Sequence, residues 1–108
     1  MSCAARNPDD WNQPGALSPD GRAKARVIHI EGSSSSQILL SFDGGRCGGG
    51  SISAAGSTPD LELSWRDTST LEVGAPESLQ LEPAPSSRTL DHTVQCLDKI
   101  VRVVTRRR

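Results

Sequence analysis

A chain of 108 residues with 12 basic and 13 acidic side chains suits one domain, and its net charge of −1 lacks the clustered positive field that a nucleic-acid binder draws on. Only 34% of it is hydrophobic and 3% aromatic; Phe42, Trp11 and Trp65 are the whole aromatic set, so the core must rest on Val, Ile and Leu, and stacking platforms for single strands are missing. No run of about 18 apolar residues occurs, which excludes a membrane-spanning helix, and the first ten residues do not read as a secretory signal.

Residues 1–20 hold Pro8, Pro14, Pro19, Gly15 and several Asp and Asn, a composition that favours turns over ladders. They read as an irregular lead-in, with Trp11 as its one anchor to the domain. Ser18-Pro19-Asp20-Gly21 is a turn signal, because Pro presets φ and Gly accepts a positive one. From Lys24 to Ile30 the side chains alternate, with Ala25 and Val27 on one face and Arg26 and Ile28 on the other. Two apolar faces predict a central strand, or one covered by another layer. Gly32 and the four serines after it read as a flexible link, Gln37–Phe42 as the next strand, and Asp43-Gly44-Gly45 as its turn.

Cys47 then stands in a glycine-rich loop, and Ser51–Ala55 is a short strand of small residues that another backbone can approach closely. The clearest element follows. Leu61, Leu63 and Trp65 alternate with Glu62, Ser64 and Arg66; after Asp67-Thr68-Ser69, Leu71 and Val73 resume the pattern around Glu72. Period-two alternation on both sides of a polar break predicts a β-hairpin with Trp65 as a main core residue. Leu79 and Leu81 mark one more short strand.

The C-terminal segment supports two readings. Leu90, Val94, Leu97, Val101 and Val104 have helical spacing, Ser86 or Ser87 could cap a helix over 88–105, and the terminal arginines suit its negative end. Ile100-Val101-Arg102-Val103-Val104-Thr105 is instead almost wholly β-branched, which weighs towards a strand paired with Val94-Gln95-Cys96 across Leu97-Asp98-Lys99. The expected architecture is an all-β antiparallel sheet or sandwich of six to eight short strands over residues 21–105, with 106–108 as a basic tail. An α+β fold with the C-terminal helix is the alternative.

Ser18-Pro19-Asp20-Gly21-Arg22, the glycine-flanked Cys47, Trp65-Arg66-Asp67 with Thr70-Leu71-Glu72-Val73, and Val94-Gln95-Cys96 together resemble a loose group of small, uncharacterised bacterial β-domain proteins, many lipid-anchored or secreted. The Ser-Pro-Asp-Gly start and the Trp65–Leu71 stretch also resemble single blades of β-propellers, a local likeness, since one blade cannot close a propeller. The resemblance implies an all-β fold over about residues 18–105 and brings no catalytic residues with it.

Cys47 and Cys96, 49 residues apart, are the candidate disulfide. Linked, they would point outside the cytosol; free, to the cytoplasm. Cys3 reads as incidental, because no lipobox precedes it. His29 reads as a sheet-face residue and His92 as a loop residue; neither lies in a nucleophile signature. No Cys-x-x-Cys or His-x₃-His spacing calls for zinc, and Gly44–Gly50 lacks the lysine and following helix of a phosphate loop. No catalytic residue, metal ligand or cofactor is therefore expected. Arg102, Arg106, Arg107 and Arg108 read as a solvated terminus, with a phosphate- or membrane-binding tail as the other reading.

The expected function is non-catalytic binding of another protein, as in bacterial inhibitor or immunity-type proteins of this size, with no nucleic-acid partner. Trp65, Arg66 and Asp67, then Asp43 and Arg46, are the candidate contact residues, because Trp and Arg anchor interfaces and turns carry recognition. The alternative is an envelope-associated or secreted structural domain held by Cys47–Cys96. Oligomeric state has no signature in the sequence.

Overall fold

Alternation of small or apolar with polar side chains turns nearly every segment into a strand, and the two inner faces it creates can be buried only against each other. The computed structural model describes residues 14–83 and 88–108. Among these, nine strands form two packed sheets. The first sheet contains β1 (Ala16–Leu17), β2 (Ala23–His29), β3 (Ser35–Phe42), β4 (Cys47–Ala55) and β7 (Leu81–Glu82), in that spatial order. The second contains β5 (Glu62–Asp67), β6 (Thr70–Ala75), β8 (His92–Cys96) and β9 (Lys99–Arg107), in the order β5-β6-β9-β8. Every pairing is antiparallel except β6 with β9, which is parallel.

The all-β expectation holds, and the helix over 88–105 does not form. Its apolar stripe is divided instead: Val94 and Val101 point inward, Leu97 sits exposed in the turn between β8 and β9, and Val104 lies on the outer face. The β-branched run wins because an inner strand position beside β6 buries Val101 and Val103 completely. Phe42, Ile38, Leu40, Ile52, Leu71 and Val73 complete the core, with Ala23 and Ala25 filling the thin places.

Several boundaries move. Ala16–Leu17 already pair with β2, and Arg106 and Arg107 extend the ladder beside Gly74 and Ala75, so ordered pairing starts earlier and runs later than 21–105. Ser35 and Ser36 belong to β3 rather than to a link, and Ser36 donates to the Gly56 carbonyl at 2.7 Å. Cys47 opens β4 and is not a loop residue; Gly48–Gly50 lie in the strand. A Cβ at Gly48 would stand 2.7 Å from the Leu40 carbonyl oxygen, which is why the strand uses glycine there. Trp65 is half-buried on the edge strand β5, packed against the core rather than forming its centre. Cys3, Trp11, Ser86 and Ser87 lie outside the described residues.

Candidate functional site

The outer face of the second sheet brings together charges that the sequence scatters over forty residues. Inward positions on β6 and β9 alternate with outward ones, so Thr70, Glu72, Arg102, Val104 and Arg106 share one face. Thr70 stands opposite Arg102, and Glu72 opposite Val104. On the neighbouring edge strand a register shift between Trp65 and Asp67 sets Arg66 beside this row. Arg66 Nη1 donates to Glu72 Oε2 at 3.1 Å, and Arg106 Nη1 lies 3.7 Å from Glu72 Oε1. One half-buried carboxylate thus serves two guanidinium groups. Arg102 is exposed and has no side-chain hydrogen bond or ion pair among the described residues. Together with Asp67, Thr70, Val104 and Thr105, these residues line an open groove of about 570 Å³. A second hollow of about 290 Å³, beside β7, is lined by serines, alanines, Gln80 and Glu82 and carries no cationic group.

The expected contact residues separate in space. Arg66 and Asp67 border the groove, with Asp67 accepting from the Ser69 amide at 2.8 Å, a bond that holds its carboxyl below the usual range. Trp65 turns the other way: its indole N–H donates to the Ala16 carbonyl at 2.9 Å and ties the edge of the second sheet to that of the first. Asp43 and Arg46 lie away from the groove, at one end of the sandwich. There Asp43 binds Arg22 through both oxygens, at 2.9 and 3.1 Å, and Arg22 also reaches Asp98 at 2.8 Å. Beside them the buried Lys99 ammonium donates to Asp20 at 2.8 Å and to the Thr68 carbonyl at 2.5 Å. Charged hydrogen bonds hold the carboxyls of Asp20, Asp43 and Asp98 below their ordinary value and raise that of the Arg22 guanidinium. This cluster joins turns from both sheets.

Cys47 and Cys96 form a disulfide from β4 to β8, across the two sheets, with both residues buried. Four residues after Cys47 and four before Cys96, Ser51 Oγ lies 2.7 Å from His92 Nε2. His92, the first residue of β8 rather than a loop residue, turns its Nδ1 to the Leu90 carbonyl at 2.7 Å, an acceptor that calls for Nδ1–H and leaves Nε2 to the serine hydroxyl. A nucleophilic serine uses the same donor order. Ser51 is fully buried between the sheets, however, so the pair acts as a second rung beside the disulfide. No sequence motif announces it; the equal spacing of Cys47 to Ser51 and His92 to Cys96 is the one signal available. The Ile100-Arg102-Val104-Arg106 alternation is the matching signal for the basic face, since in the favoured strand reading it sets both arginines on one side. Among the described residues no group of three or more His, Cys, Asp and Glu side chains could hold a metal ion, and no helix is long and apolar enough to cross a membrane. Comparison with protein-family models, with curated proteins and with solved structures finds no match to this chain.

Proposed function

We propose that this chain is a non-catalytic binding module that engages another protein through the outer face of its second sheet. The observation that supports it is the imbalance around Glu72: Arg66 and Arg106 share that carboxylate while Arg102, beside them, has none among the described residues. Arginine on a flat, open face offers planar bidentate donors to a partner at small desolvation cost, and it is among the residues that dominate interface energies. The contact set is therefore Arg66, Asp67, Arg102 and Arg106, with Trp65 supporting the face from beneath. A photo-reactive residue in place of Val104, expressed in the host, should give one discrete cross-linked protein. The same residue in place of Ser57, an exposed turn position away from the groove, should not. Identical products from both positions, or none from 104, would sink the reading.

A second reading is favoured by the buried Cys47–Cys96 bond: a secreted or envelope-associated domain, in which an oxidising compartment keeps the sheets linked. Rapid alkylation of host cells followed by peptide mass analysis distinguishes the two compartments. A linked pair is expected outside the cytosol, and two alkylated thiols would discard this second reading while leaving the binding face in place.

A further inference from the structure

The four outward side chains of β9 alternate as Ile100, Arg102, Val104 and Arg106, with Ile100 half exposed and Val104 half buried between the two arginines. A strand rises about 3.3 Å per residue, so Arg102 and Arg106 stand about 13 Å apart along one line. The groove they border contains three guanidinium groups against the two carboxylates of Asp67 and Glu72. Asp67 is already engaged by the Ser69 amide. Arg22 and Arg108, by contrast, each contact two carboxylates, Asp43 with Asp98 and Asp60 with Glu62. The chain carries a net −1 overall, so the unmatched positive charge is a local property of this face.

From this geometry we infer that the partner segment is an extended acidic strand laid along β9, with two carboxylates four residues apart and an apolar residue midway between them. The inference rests on the protein-binding reading above and adds the partner's chemistry. One carboxylate pairs with Arg102 and the other with Arg106, relieving the long contact to Glu72, while the central side chain covers Val104. A nucleic acid fits less well. Glu72 sits in the middle of the face and repels a continuous row of phosphates, and among the described residues the nearest aromatic, Trp65, is turned inward and offers bases no stacking surface.

The test is fluorescence anisotropy of the whole chain with a labelled peptide carrying Glu-Thr-Val-Thr-Glu between Ser-Gly flanks. Replacing both Glu by Gln should weaken binding by at least about tenfold, and placing the two Glu side by side should also weaken it, because the pairs are charge-assisted and set by position. Arg102→Ala should cost about tenfold with an unchanged melting temperature, while Arg46→Ala, at the end of the sandwich, should cost nothing. Equal binding of the Gln peptide, or full binding by Arg102→Ala, would overturn the inference. So would tighter binding of a 12-nucleotide single strand or of anionic vesicles, or a concentration-dependent dimer abolished by Arg102→Ala. If no acidic peptide binds but position 104 still cross-links one protein, the acidic chemistry fails and the binding module stands; if both fail, both readings fall.

Discussion

Lys99 shows how a single residue is held where a cation is costly. Its side chain is almost wholly buried, and burial of an ammonium is tolerated only with an anion and full hydrogen bonding. Asp20 supplies the anion and the Thr68 carbonyl a second acceptor. Asp20→Asn should therefore destabilise the fold by about 1.5–3 kcal/mol, and Lys99→Met added to it should recover much of the loss, since both partners are then gone. Urea unfolding of the three proteins checks this. Because the carboxyls of Asp20, Asp43 and Asp98 are lowered in the folded state, their contribution is complete above the ordinary carboxylate value near pH 4 and is lost as the pH falls below it. The melting temperature should be flat from about pH 8 to 5 and drop steeply below about pH 4; in Asp20→Asn the acid drop should be shallower. Thr105 presents the opposite situation. Its hydroxyl is buried with no partner among the described residues, so Thr105→Val, equal in shape and equally suited to a strand, should stabilise by about 1 kcal/mol in the same assay.

The hairpin of β8 and β9 is strained at one point. Leu97 adopts φ 54°, a left-handed conformation that costs a residue with a Cβ about 1–2 kcal/mol, and its side chain is largely exposed and adds little burial in return. Leu97→Gly should relieve the strain and raise stability by about 0.5–1 kcal/mol despite the extra freedom of the unfolded glycine. A lowered denaturation midpoint would show that Leu97 contributes packing the turn depends on. The ladder of β6 with β9 is the other element that shapes function. Its parallel pairing places Arg102 opposite Thr70 and Glu72 opposite Val104, which assembles the basic face. An antiparallel hairpin partner for β9 on that side would have separated these charges.

At the scale of the whole molecule, two thin sheets are fastened along both flanks. The Trp65–Ala16 hydrogen bond joins β5 to β1, and the disulfide with its neighbouring Ser51–His92 bond joins β4 to β8. A core of mainly aliphatic side chains gains from such fastening, since it has little large aromatic area to bury. Closing a loop of 49 residues should contribute about 3–4 kcal/mol in the chain-entropy picture. Cys47→Ser with Cys96→Ser should therefore lower the melting temperature by more than about 10 °C. Calorimetry of the variant checks it, and a change of a degree or two would mean that the packed sheets alone hold the fold.

The sequence by itself determined the class of this protein and most of its strands, and singled out Cys47 and Cys96 as a candidate pair. The first two follow from local rules, period-two alternation at Leu61–Val73 and turn chemistry at Asp43–Gly45; that the two thiols meet follows from β4 lying across from β8. The candidate site was legible only in part. Arg66 and Asp67 could be named because they adjoin a strong hairpin, whereas Arg102 and Arg106 read as a solvated terminus while the C-terminal segment was open between helix and strand. The alternation around Trp65 points to the middle of the core, whereas its half-buried place on an edge strand, bonded to Ala16, depends on a contact 49 residues away. Tertiary structure alone decided that β9 lies parallel to β6, and with it which charges share a face. Side-chain periodicity records which residues turn inward together, but it carries no information about which strand lies alongside.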